Sequence, residues 1–125
     1  MNIAIVDYAR IAPDADFPLL ETERDYRWTQ FPLLDAAGVR ADCWRAHILV
    51  TRGTAIDADT IAALPMLQYV VIAGDDIGLV DLPAAQARGI KVGRISGGGS
   101  PAELCRRIVD ALDAIIAGQM PGQLI

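Results

Sequence analysis

A basic run, a long apolar stretch and a grouped set of metal-ligating side chains are all missing from this chain. Lys plus Arg number 11 against 16 Asp plus Glu, so the formal charge is −5. A surface of that sign repels a phosphate backbone and an anionic bilayer, so neither nucleic acid nor a membrane is an expected partner. The longest apolar runs, such as Tyr69 to Ala73, fall far short of the roughly 20 residues that cross a bilayer. The N-terminus lacks a basic flank and Asp7 interrupts its apolar run, the wrong shape for a signal peptide. Cysteine is scarce: Cys43 and Cys105 have no metal-type spacing, and His47 is the single histidine. A zinc site is therefore not expected, and the thiols read as buried and reduced in a cytoplasmic protein.

What is present is apolar and evenly spread. The 125 residues are 53% hydrophobic, enough for one packed domain over 1–125. A two-domain enzyme with its own cofactor domain needs roughly twice this length. Short β-branched runs alternate with helical patterns. Strands are expected at Ile3 to Val6, Arg24 to Phe31 (an edge), His47 to Thr51, Leu67 to Ala73 and Ile90 to Ile95. Residues 8–23 read as loop. A weak helix over Leu34 to Trp44 has Asp35 as its cap; a second begins at Asp57 or Asp59 and stops at Pro65; a third runs from Asp81 to Gly89. The last runs from Ser100 to about Ala117, with Pro101 at its first position and Glu103 at capping-box spacing. Strand and helix alternating at this period mean parallel βαβ units with helices on both faces. The expected fold is α/β, a flavodoxin-like three-layer domain with a five-stranded parallel sheet.

Open parallel sheets bind ligands beyond the C-terminal ends of their strands. Four such ends are informative: Asp7-Tyr8, Thr51-Arg52-Gly53, Gly74-Asp75-Asp76 and Ser96 to Gly99. The triple glycine could offer backbone N–H groups to an anion, but it fits neither a P-loop nor Gly-x-Gly-x-x-Gly, and a flexible turn into a capped helix explains it as well. Asp75 and Asp76 could bind a hard cation or do acid–base chemistry, yet adjacent loop acids usually diverge into solvent. Asp7 with that pair suits a phospho-acceptor domain of the same fold. Thr51-Arg52 at the end of strand three and Lys91 near the start of strand five argue against it. His47 sits at the beginning of its strand, away from the rim, and reads as structural.

Taken together, several segments resemble a known family. They are Arg45 to Arg52, Ala63 to Val70, Ala73-Gly74, Val80-Asp81-Leu82 with Ala84-Ala85, and Arg88 to Val92. In order and spacing they resemble the substrate-binding (catalytic) domain of NAD-dependent D-2-hydroxyacid dehydrogenases, a group with glycerate, hydroxypyruvate and phosphoglycerate dehydrogenases among its members. The resemblance implies that Gly74, Asp75 and Asp76 offer backbone N–H groups to a substrate carboxylate, beside Arg52 and Gly53. It implies a hinge or anion loop at Gly97, Gly98, Gly99 and Ser100. Asp75 and Asp76 stand where the family usually has small or apolar residues, so weak anion binding is expected, by repulsion. The segment Gly97 to Pro101 is also about two residues shorter than usual in the family.

In that family the nucleotide fingerprint and the catalytic Arg, Glu and His belong to an inserted dinucleotide-binding domain, which is absent here. The expectation is a stand-alone homologue of the substrate-binding domain, inactive alone and binding no cofactor itself, though NAD serves the family. It would bind a small 2-hydroxy or 2-oxo acid or act as an assembly module. The alternative is one subunit of a split NAD-dependent oxidoreductase, with the nucleotide domain on a separate subunit. The last helix has an apolar arc of roughly 160°, wider than the ~100° that covers one sheet. A homodimer through Leu104, Ile108, Leu112, Ile115 and Ile116 is the expected cover.

Overall fold

Period-two alternation in the strands decides which side chains meet which helices. The computed structural model describes residues 1–11 and 17–118, together with the backbone of 123–124. The strands are β1 (Asn2–Ile5), β2 (Arg27–Gln30), β3 (Ile48–Thr51), β4 (Tyr69–Ala73), β5 (Lys91–Ile95) and β6 (Gln123–Leu124). The helices are α1 (Ala36–Asp42), α2 (Ala58–Ala62), α3 (Leu82–Ala87) and α4 (Pro101–Ile116). Short 3-10 turns occupy Tyr8–Arg10 and Ile77–Leu79.

The sheet order is β2-β1-β3-β4-β5-β6, and the first five strands are parallel. The flavodoxin-like order is thus present. β6 is an addition that the periodicity does not announce: two residues run antiparallel along β5, with Gly93 opposite Leu124 and Arg94 opposite Gln123. Some boundaries also move inward. Leu67 N–H still closes a turn onto the Leu64 carbonyl at 3.2 Å, so β4 starts only at Tyr69.

Ala4, Val6, Leu49, Val70, Ile72 and Val92 share one face with Val39, Ile61 and Ala85 of the three short helices and with Leu64 just beyond α2. Ile3, Ile5, Ile48, Val50, Val71 and Ala73 share the other with α4. β3 is buried at every position, as a strand covered on both faces must be. Each helix starts on a side-chain cap: Asp35 accepts from Gly38 N–H, Asp57 from Thr60, Asp81 from Ala84 and Ser100 from Glu103. The choice left open between Asp57 and Asp59 falls to Asp57, and Asp59 sits in the first turn. No helix among the described residues is long and apolar enough to cross a membrane.

The outer side of α4 is covered by its own chain. Phe17, Leu20, Tyr26 and Trp28 pack into the same cluster as Ile108 and Leu112. The Asp113 carboxylate pins this segment by accepting the Glu21 amide at 3.0 Å and the Thr22 amide at 3.2 Å. This corrects the expected interface. Leu104, Ile108, Leu112, Ile115 and Ile116 are all buried core residues. The apolar arc is wide because it is covered from two sides, by the sheet and by residues 17–28.

Candidate functional site

Parallel pairing sends the ends of β1, β3, β4 and β5 to one rim, and a buried carboxylate shapes the middle of it. Asp7 lies just past the end of β1, with Val6 between them, and is fully buried. Its Oδ1 accepts the Arg52 amide at 3.0 Å, and its Oδ2 accepts the amides of Gly53 at 2.7 Å and Thr54 at 3.1 Å. The Thr54 hydroxyl lies 3.3 Å from Oδ2, and Arg10 Nε approaches it to 3.4 Å. A carboxylate removed from water is tolerated because donors surround it. Asp7 is therefore an organiser of the β3–α2 loop rather than an open acid, and it has no phospho-acceptor's access to solvent. Sequence reasoning placed Asp7 on the rim but did not assign it this role. The signal available was an acid ending an apolar strand, where burial demands partners.

Arg52, held by that loop, reaches across to β4. Its Nη1 donates to the Ala73 carbonyl at 2.6 Å. Gly97 comes close on the other side: a Cβ added there would lie 2.6 Å from Arg52 Nη1 and 3.1 Å from the Gly74 Cα. A side chain at 97 would thus displace the Arg52 guanidinium and crowd the Gly74 backbone. Arg52, Ala73, Gly74, Asp75, Asp76, Gly97 and Gly98 line an open cleft of about 410 Å³. The structure brings together six of the expected site residues here, all of this lining but Ala73. Gly53 lies on the far side of Arg52, in a neighbouring cavity of about 600 Å³ with Arg10, Leu33, Leu34 and Thr54.

The two acids of the strand-four loop differ. Asp75 Oδ1 accepts from Arg94 Nη1 at 2.9 Å. Asp76 instead caps the Ile77–Leu79 turn, accepting from Gly78 N–H at 3.1 Å. Arg94 is the residue that the sequence reading missed. It projects from β5, where Ile72 is its register partner on β4, and no local pattern links it to Asp75. The repulsion expected of two acids is thereby reduced to one open charge.

The segment Gly97 to Ser100 turns toward its own helix. Ser100 Oγ accepts the Glu103 amide at 3.2 Å, and Arg107 Nη2 donates to the Gly98 carbonyl. Gly99 has φ +85°, and the Glu103 carboxylate lies against it. A pyrophosphate needs free N–H groups and no anion at the helix start. These residues therefore do not fit a pyrophosphate; the resemblance gives them a hinge or anion-loop role and places the dinucleotide in the inserted domain. Among the described residues no three His, Cys, Asp or Glu side chains come together as metal ligands.

His47 and Cys43 lie elsewhere. His47 Nδ1 accepts the Asn2 amide at 2.9 Å, and burial, then the Met1 ammonium, lower its pKa. The Cys43 thiol is pushed up to about 11 by burial first and by Asp42 second. Neither is near the cleft.

Comparison with known proteins gives a consistent answer. Residues 3–117 match the family described as D-isomer specific 2-hydroxyacid dehydrogenase, catalytic domain. The chain is similar to the D-3-phosphoglycerate dehydrogenase of Mycobacterium tuberculosis (strain ATCC 25618 / H37Rv), 34% identical over 95 residues. That alignment covers 74% of this chain and 17% of the relative, so the chain spans under a fifth of the relative's length. Among solved structures, apo D-lactate dehydrogenase from Escherichia coli superposes with a TM-score of 0.58 at 16% identity, over 76% of this chain and 31% of that one. The NAD+-bound phosphoglycerate dehydrogenase of Entamoeba histolytica gives 0.57 at 18% identity, over 75% and 32%. At these identities the structural likeness speaks for the fold.

Proposed function

Since the chain belongs to the D-isomer specific 2-hydroxyacid dehydrogenase family through its catalytic domain, we propose that these residues bind a small 2-oxo or 2-hydroxy acid at the strand-end cleft, as the substrate-holding part of a dehydrogenase. The observation that carries the reading is Arg52. One N–H of its guanidinium is spent on the Ala73 carbonyl, which fixes the group against Gly74 and Gly97. Its remaining N–H groups have no partner among the described residues, and it lines the cleft with Gly74. A fixed guanidinium beside backbone amides suits a planar carboxylate.

Hydride transfer also needs a bound nicotinamide and a proton donor. The cleft residues supply neither. On this reading the chemistry depends on residues beyond these 125, in the same polypeptide or another. Titration with glyoxylate followed by backbone amide NMR tests it. Shifts concentrated at Arg52, Gly74 to Asp76 and Gly97, lost in Arg52→Met, are expected. Saturable shifts confined to another surface, or none at millimolar ligand, would remove the reading.

A further inference from the structure

The cleft carries two open charges of opposite sign, and they come from different strands. Arg52 enters from the end of β3, and Asp76 sits beyond β4. Asp75 does not add a second free anion, because Arg94 from β5 pairs with it at 2.9 Å. Asp76 has no cationic partner among the described residues. One of its oxygens accepts the Gly78 amide, and the side chain lines the cleft. A ligand held by its carboxylate at Arg52 thus meets a carboxylate further along the same cleft.

We propose that this site selects acids whose tail carries a positive charge, with Asp76 as the specificity-determining residue. The inference rests on the acid-binding reading above and adds the class of the tail. An anionic tail is disfavoured at Asp76, and a neutral tail gains nothing there. A cationic tail pairs with it while the carboxylate stays on Arg52. Exposure limits the gain, so a preference of about three- to tenfold over a neutral tail is expected at low salt. It declines as salt rises.

The test compares two isosteric 2-oxo acids on the same three-carbon spacer, one ending in trimethylammonium and the other in tert-butyl. They differ only in charge. Calorimetry on the 125-residue protein is expected to show tighter binding of the cation. Asp76→Asn removes the difference and Asp76→Lys reverses it. Arg94→Gln, which frees Asp75, widens it. Both positions are on the surface loop or strand end, and retained thermal midpoints check that the three variants fold. Equal binding of the isosteres, or tighter binding of the neutral one, overturns the inference and leaves the acid-binding reading standing. Absence of binding by either isostere and by glyoxylate takes both down.

Discussion

The imidazole of His47 accepts a backbone N–H through Nδ1, so a proton on that nitrogen breaks the bond to Asn2. Burial, and then the ammonium of Met1, hold its pKa below the ordinary 6.5. The unfolded chain therefore takes up a proton that the folded chain refuses, and stability falls as that proton binds. Stability from this residue is fully present above about pH 6.5 and is lost as pH falls through the lowered value. Urea midpoints measured from neutral to mildly acid pH are expected to decline in the parent and to flatten in His47→Gln. A parent midpoint that rises with acid, or an unchanged slope in the variant, contradicts this. His47 and Cys43 were legible as structural residues from their apolar surroundings. Arg94 was not, because its contact with Asp75 depends on the β4–β5 register, in which Ala73 faces Ile95.

Among the elements, α4 carries the second face of the core. Ile108 and Leu112 have no exposed surface. Ile108→Ala is expected to cost about 2–5 kcal/mol, through lost burial and the cavity left behind. Ile108→Asp is expected to abolish cooperative unfolding instead of splitting an oligomer, because the position faces the sheet and not a partner. Circular dichroism melts and light scattering on the two variants separate these outcomes. A folded Ile108→Asp protein of reduced mass would restore the interface. The apolar arc of α4 was plain in the sequence, as was its cap. What covers it was not. Phe17, Leu20 and Trp28 follow no single period, and the Glu21–Asp113 bond spans 92 residues. Periodicity sees neighbours along one element, whereas this cover is a long-range contact of an irregular segment.

As a whole molecule, the chain is a sheet with one furnished rim. Strand order and layers followed from alternation and from the βαβ handedness rule, while β6, two residues long, left no pattern to find. Among the described residues the rim holds a guanidinium and amides but no dinucleotide cradle. Accordingly, the 125-residue protein mixed with NADH and glyoxylate or hydroxypyruvate is expected to leave the nicotinamide absorbance unchanged. Turnover by this chain, abolished in Arg52→Met, would show that the rim does more than hold the acid. Asp7 has one further consequence. Its carboxylate clasps three consecutive amides, from Arg52 to Thr54, so the loop is stiff before any visitor arrives. Little chain entropy remains to be lost on docking. If the rim holds an acid as proposed, its capture is expected to be diffusive and free of a slow closing phase, with residence time setting how tightly one acid is kept over another.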